Sequence, residues 1–283
     1  MFTIFNATNP RVVGKQHWLN GSTLESETTP FIVQADFTVV TVSTMYEFAD
    51  LLRGLVPGRD VLQYQVPGAH VNGATQIASK PQNHHQISRT GNNFDWPDGR
   101  GVMMFDIDEP IERDELVGLF FTLAPQLVVA NVVTCPSSSS FVHVTGTAGP
   151  VRGQRGQRLY VGVEDAKDIP RAGKVMFKRL WLAGRGTVQI TKSGSQLAKT
   201  LIDASVWNDV SLDFAAGAFC GDGVWQDRKV EVIAGMMGQD FIDTRTVFPD
   251  LTPEEEARFN HLVREAKDAT RDEAERVRGV QGQ

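Results

Sequence analysis

Hydrophobic and polar positions alternate in some segments of the chain and recur at helical spacing in others. Side chains in a strand point alternately to opposite faces, whereas one face of a helix returns every three or four residues. Alternation and β-branched content predict strands at residues 31–33, 37–42, 61–66, 101–108, 127–133, 159–163 and 187–190. Helical spacing predicts helices at residues 45–52, after Pro110 and at 169–182, and residues 196–204 fit either class.

Local signals refine this pattern at the ends of elements. Ser43 or Thr44 is placed to cap the helix at residues 45–52. Thr252, followed at once by a proline and three residues later by Glu255, predicts a helix start with a capping box. Residues 67–100 are rich in Gly, Asn, Pro, Gln and His, which predicts a long loop, and loops of that length are commonly functional.

Composition excludes several classes of protein. With 41% hydrophobic and 22% charged residues among 283, the chain has the content of a soluble globular protein with a core. A net charge of -6 gives no general attraction to nucleic acid, although a local basic channel would suffice for binding. Cys135 and Cys220 are far apart in sequence, so neither a zinc ribbon nor a disulfide framework is expected. The sequence therefore predicts a protein of a reducing compartment. No signal peptide or membrane-spanning run is expected.

The strongest chemical signal is Asp106-x-Asp108 at the end of a buried-strand pattern. Residues two apart in a strand project from the same face, so the two carboxylates converge. Burying both without compensation would be costly, and Mg²⁺ or Mn²⁺ is the natural counter-charge for carboxylate oxygens. The alternative is a strand end whose acids cap the next helix or face water.

Three further groups are weaker candidates on their own. Asp203 follows two large apolar residues, as if a core strand delivered one acid to a site. The serines at 137–140 follow an apolar run and could present hydroxyls and N–H groups to a phosphate, or form a plain polar loop. Arg152, Arg155 and Arg158 lie among glycines, where they suit phosphate contacts or a solvated turn.

In this order, the pieces resemble the archaeo-eukaryotic primase superfamily, particularly the primase-polymerase domains of phage and plasmid replication proteins. That family has an apolar run ending in Asp-x-Asp or Asp-x-Glu, a serine turn leading to a strand histidine, and an apolar residue followed by Asp. The corresponding segments here are residues 103–108, 137–160 and 201–203. Residues 87–97, 179–184, 201–206 and 248–252 add to the likeness, which covers roughly residues 85–260.

The resemblance implies an α/β (α+β) fold. Its central sheet would be similar to that of an RNA-recognition motif and would pack against an N-terminal α/β part. Residues 1–100 would form that N-terminal part, 101–250 the catalytic part, and 251–283 a C-terminal helix and linker. A helicase domain further along the full-length chain is a family expectation, as is the cytoplasm of a bacterial host.

The activity implied by the resemblance is template-directed nucleotidyl transfer to DNA. Two Mg²⁺ or Mn²⁺ ions would be held by Asp106, Asp108 and Asp203, and a DNA template, a primer and nucleoside triphosphates would be the partners. Triphosphate contacts fall to Ser138, Ser139 and Arg158 in this scheme. Arg89 or Lys199 would contact phosphate or template.

One departure from the family pattern concerns the nucleotide-binding histidine. The segment at residues 156–161 has Arg158 where histidine is expected, so either Arg158 or the earlier His143 takes that role, and the strand that follows favours Arg158. Two other functions stay open at the level of sequence: a metal-dependent nuclease or topoisomerase-type domain, and a non-catalytic DNA-binding module for replication initiation.

Overall fold

The chain folds into several small sheets accompanied by helices, which is an α+β architecture. The computed structural model describes residues 1–208 and 210–281. The strands are β1 Phe2–Asn9, β2 Gly14–Asn20, β3 Thr23–Thr29, β4 Gln34–Val40, β5 Asp60–Gln63, β6 Val66–Pro67, β7 Gln76–Ala78, β8 Gln86–Ile87, β9 Phe94–Asp95, β10 Gly101–Ile107, β11 Val132–Pro136, β12 Val142–Val144, β13 Pro150–Arg152, β14 Gln157–Val163, β15 Gly186–Ile190, β16 Gln196–Thr200, β17 Phe219–Cys220, β18 Val224–Gln226 and β19 Glu231–Ile233. The α-helices are α1 Met45–Gly54, α2 Arg113–Leu123, α3 Ile169–Leu182, α4 Thr244–Val247, α5 Pro253–Ala269 and α6 Arg271–Gln281.

A four-stranded antiparallel sheet lies at the centre, in the order β10-β14-β11-β19. Along the chain its parts follow as β10, α2, β11, β14 and α3. Beyond α3 the chain returns to the outer edge of β10, where Ile202 pairs with Ile107 in a single antiparallel bridge. Every residue of β10 except Asp106 is buried, which explains why its sequence is so uniformly apolar.

The N-terminal segment forms a second sheet in the order β5-β1-β4-β7-β8. Helix α1 joins this sheet to the central one, because Phe48 packs edge-on against both Phe2 and Tyr160, at ring-centroid distances of 5.5 and 5.1 Å. Leu62 of β5 also exchanges two backbone hydrogen bonds with Asp213, at 2.9 and 2.8 Å. One hydrophobic core therefore spans both sheets.

Helices α3 and α5 pack together on the side of the molecule where β15 and β16 form a hairpin. Thr252 accepts a hydrogen bond from the Glu255 backbone N–H, and the Glu255 carboxylate accepts one from the Thr252 N–H. This reciprocal capping box fixes where α5 begins. Trp181 and Phe259 meet edge-on between the two helices.

Several elements confirm the sequence predictions. The helix at residues 169–182 and the strand at 101–107 occur with nearly those bounds. Thr44 caps α1, and Thr252 caps α5. Residues 159–163 and 187–190 lie in β14 and β15, and residues 196–200 form a strand. The long segment at 67–100 contains short strands as well as loop.

Four element predictions were wrong in whole or in part. Residues 31–33 are not a strand but the connection that follows Pro30, which lacks the N–H needed to continue β3. The helix expected directly after Pro110 starts only at Arg113, since Ile111 is buried and its carbonyl accepts hydrogen bonds from Gln154 and Gln157.

The strand expected at 127–133 begins only at Val132, and the one expected at 61–66 divides into β5 and β6. A 3-10 helix occupies Pro125–Val129, where proline at the first position favours helical backbone angles. Length and hydrophobicity alone did not distinguish this short helix from a strand.

Candidate functional site

Asp106 is the last polar residue on the otherwise buried strand β10. It pairs across the sheet with Arg158 of β14, and Arg158 in turn pairs with Cys135 of β11. Direct cross-strand partners have their side chains on the same face, so an acid and a base lie side by side within the central sheet. The Asp106 side chain keeps 24% of its surface exposed, enough to reach a ligand.

The pKa of Asp106 is raised to about 6, chiefly by burial and also by the carboxylates of Asp213, Asp108 and Asp203, while Arg158 opposes the rise. A carboxylate in this position is unfavourable when ionised because it has lost water and faces other negative charges. A cation bound next to Asp106 would relieve both effects.

Asp106 and Asp108 line the same cavity, which has a volume of about 850 Å³. We call it the carboxylate cavity, and the residues that give it its chemistry are Asp106, Asp108, Ser137, Ser138, Ser139, Arg152, Arg155, Gly156 and Arg158. Two of the three predicted acids thus meet the predicted serines and arginines in one place, although these residues come from the end of β10, the turn after β11 and the segment from β13 to β14.

The serine turn is held by its last member. The Oγ of Ser140 is buried, donates to the Gly156 carbonyl and accepts from the N–H groups of Arg155 and Gly156. Gly156 approaches β10 so closely that a Cβ there would lie 2.5 Å from the Ile107 carbonyl oxygen. These contacts fix the loop at residues 153–156 against the serine turn at residues 137–140, so that Ser138 and Ser139 face the same cavity as Arg155.

Arg158 is buried between two carboxylates. Its Nε lies 2.9 Å from Oδ1 of Asp213 and 3.5 Å from Oδ1 of Asp106. Although burial lowers the pKa of Arg158, these two carboxylates raise it well above its usual value, so the guanidinium stays charged. Within the described part of the chain neither its buried Nε nor its buried Nη1 makes a hydrogen bond, so the contacts with the two carboxylates are ion pairs. The Nη1 group is left as a donor for a ligand oxygen.

Asp213 is a site residue that the sequence interpretation missed. Its side chain is fully buried, and its Oδ2 accepts hydrogen bonds from the hydroxyls of Tyr64 at 2.6 Å and Tyr160 at 2.9 Å. Burial and the nearby Asp213 carboxylate raise the pKa of both tyrosines well above the usual value, so both stay protonated donors. The sequence around Asp213 carries no signal beyond an isolated acid.

Asp203 stands beside Asp106, but its side chain faces a different surface. Its backbone N–H donates to the Asp106 carbonyl at 2.9 Å. Its carboxylate caps the 3-10 helix Ala204–Trp207 by accepting from the N–H and the hydroxyl of Ser205. Lys199 Nζ lies 3.9 Å away, and both residues line a second cavity of about 880 Å³.

We call this second cavity the lysine groove, and its characteristic residues are Lys174, Phe177, Lys178, Lys199, Asp203 and Phe259. They come from α3, β16 and α5, except for Asp203, which caps the 3-10 helix after β16. Lys178 is paired with Glu256, and Lys174 is exposed. Ammonium groups beside aromatic rings are a combination suited to a polyanion that carries flat bases.

Two predicted contact residues lie elsewhere. His143 is not among the residues lining either cavity, because its ring stacks on Trp225 with the centroids 3.9 Å apart and the planes at 11°. Between His143 and Arg158, it is Arg158 that borders the carboxylate cavity. Arg89 donates from one guanidinium nitrogen to Val210 O and Gln63 Oε1, so it joins two segments and lines neither cavity.

The donor set suits a hard divalent cation. Mg²⁺ is commonly held by one or two carboxylates, several waters and substrate phosphates, and Asp106 and Asp108 supply two carboxylates on one wall. Among residues 1–208 and 210–281, no group of three or more His, Cys, Asp or Glu side chains is gathered closely enough to hold an ion together. The protein would therefore contribute the two carboxylates of the cavity, with Asp203 adjacent.

Comparison with models of protein families, with curated proteins and with solved structures found no match to this chain. In the described residues, no helix combines the length and the apolar character that crossing a bilayer requires.

Proposed function

We propose that this chain is the catalytic part of a DNA primase-polymerase of phage or plasmid type, a member of the archaeo-eukaryotic primase superfamily. The observation that carries the proposal is the carboxylate cavity, where Asp106 and Asp108 share one space with the serine turn and with Arg152 and Arg155. Acids for cations and arginines for phosphates in a single cavity are what transfer of a nucleotide from a triphosphate requires.

The order of secondary structure around the cavity gives independent support. The sequence β10, α2, β11, β14, α3 followed by the edge pairing of Ile202 is a β-α-β-β-α-β arrangement with the last strand reduced to one bridge. Sheets similar to the RNA-recognition motif have this order. It also explains why two acids distant in sequence are neighbours, because the edge pairing sets Asp203 against Asp106.

Each group would then have a distinct task. Arg152, Arg155 and the serine turn would bind and orient the triphosphate, and the free Nη1 of Arg158 would donate to an oxygen of the same ligand. Asp106 and Asp108 would hold Mg²⁺ or Mn²⁺. When bound, such ions supply activation of the attacking 3′-hydroxyl and neutralisation of the departing pyrophosphate.

The template and primer would lie along the lysine groove, which adjoins the carboxylates through Asp203. Its lysines can contact phosphates while Phe177 and Phe259 offer faces for bases. Lys199 keeps its proposed phosphate contact in this scheme. A helicase domain in the full-length protein and a place in the cytoplasm of a bacterial host complete the proposal.

An incorporation assay tests the proposal against its rivals. The protein is incubated with labelled nucleoside triphosphates and Mg²⁺ or Mn²⁺, on a primed template and on an unprimed one. We expect template-dependent extension of the primer. Strand cleavage that needs no nucleotide would instead establish a nuclease, and DNA binding without extension or cleavage would establish a non-catalytic module.

A further inference from the structure

Asp213 is an acid whose side chain is fully buried. Its backbone is fixed by the two hydrogen bonds to Leu62, and its Oδ2 is held by Tyr64 and Tyr160. The other oxygen, Oδ1, faces Arg158 Nε at 2.9 Å. Five contacts from two segments of the chain, residues 62–64 and 158–160, therefore determine where this negative charge lies.

Arg158 is shared unequally between its two acids. The distance from Nε to Asp213 is 2.9 Å, and the distance to Asp106 is 3.5 Å. A guanidinium paired closely with Asp106 would occupy the oxygens that a cation needs and would cancel their charge. Asp213 instead offers Arg158 a nearer and fully buried partner.

We propose that Asp213 is a positioning residue: it holds Arg158 away from a close pair with Asp106 and so keeps the Asp106 carboxylate available to a divalent cation. The inference rests on the proposed function only in taking Asp106 as a cation ligand. Loss of the charge at position 213 would leave Arg158 with one remaining acid, Asp106, and a cation would then have to compete with the guanidinium for it.

Binding of Mn²⁺ alone to the whole chain, measured by the electron paramagnetic resonance signal of free Mn²⁺, tests this. Asp213→Asn keeps an acceptor for the tyrosine hydroxyls and removes the charge. We expect it to weaken Mn²⁺ binding about tenfold. Adding Arg158→Gln to Asp213→Asn should restore affinity to within about threefold of the wild type, because the competing guanidinium is gone.

Two controls separate positioning from simple support of the fold. Tyr64→Phe keeps the Asp213 charge and removes one hydrogen bond, so it should lower the melting temperature and leave Mn²⁺ affinity nearly unchanged. The double variant Arg158→Gln/Asp213→Asn removes both buried charges together, which a core tolerates better than removing one. Its melting temperature shows whether the restored binding belongs to folded protein.

Three results would overturn the inference: wild-type affinity in Asp213→Asn, no recovery in the double variant, or no Mn²⁺ binding that depends on Asp106 in the wild type. Failure of the proposed function would look different. If Mn²⁺ binding follows the expected pattern but no nucleotide is incorporated, the positioning role stands and the polymerase activity does not.

Discussion

The carboxylate cavity and the lysine groove adjoin the same backbone hydrogen bond, between Asp203 and Asp106, yet different types of side chain line them. The cavity combines acids at a strand end with arginines on β13, β14 and the loop between them, whereas the groove combines lysines and aromatic rings on helices and a hairpin. Arginine suits bidentate recognition of a phosphate, and lysine suits looser contact along a backbone. Under the proposed function, the carboxylate cavity would hold the cations and the triphosphate, and the lysine groove would hold the template and primer.

The first prediction tests the arginine side of this contrast. Replacing Arg152 and Arg155 together by alanine removes charge-assisted hydrogen bonds to the triphosphate, so the KM for nucleotide should rise about a hundredfold. Affinity for single-stranded DNA should change little, because neither arginine lines the groove. Steady-state incorporation kinetics and fluorescence anisotropy of a labelled oligonucleotide measure the two effects. Equal losses in both would remove the distinction between cavity and groove.

The second prediction compares an acid of the cavity with one of the groove in metal-free protein. The folded protein holds the pKa of Asp106 near 6, above its ordinary value of 3.8, so ionised Asp106 destabilises the fold. Asp106→Asn should therefore raise the free energy of unfolding above pH 6 by on the order of 2 kcal/mol. The gain should shrink as the pH falls below 6 and disappear below 3.8, where Asp106 becomes protonated in the unfolded as well as the folded state.

Asp203→Asn is the matched control for that prediction. The Asp203 carboxylate accepts two hydrogen bonds from Ser205 and lies near Lys199, so its replacement should bring no comparable gain. Urea unfolding at a series of pH values measures both variants. A stabilisation of equal size in Asp203→Asn would show that the cavity is no more strained than the groove.

The third and smallest effect concerns the lysines. Lys174→Ala combined with Lys199→Ala should weaken binding of single-stranded DNA about fivefold and reduce its dependence on salt, because fewer phosphate contacts release fewer counterions. The KM for nucleotide should stay near that of the wild type. Lys80→Ala, which removes an exposed lysine in the N-terminal loop region, is the control. If it weakens binding as much, the groove is not the path of the strand.

The sequence predicted some of these residues and elements and not others. Asp106 and Asp108 could be located because a buried strand ending in two acids is a local pattern, and α3 and α5 could be located from apolar spacing and a capping box. Asp213 could not, since its burial depends on Tyr64, Tyr160 and Arg158, which only the folded chain brings together. The position of His143 could not be predicted for a related reason: its stacking on Trp225 is a contact between strands distant in sequence.

Asp203 falls between these cases. The sequence placed an acid after Leu201 and Ile202, and the structure sets its backbone against Asp106. Its carboxylate, however, accepts hydrogen bonds from Ser205 and borders the groove. A local sequence pattern cannot specify which of two adjoining cavities a side chain faces.

The central claim is that the Asp106 carboxylate serves nucleotidyl transfer. Single-turnover incorporation on a primed template with Mn²⁺ tests it most directly, with Asp106→Asn compared against Asp98→Asn, whose side chain is 93% exposed and pairs with Lys167. We expect Asp106→Asn to lose about a thousandfold or more in rate while remaining folded, and Asp98→Asn to keep the wild-type rate. Polymerisation retained by folded Asp106→Asn would contradict the account.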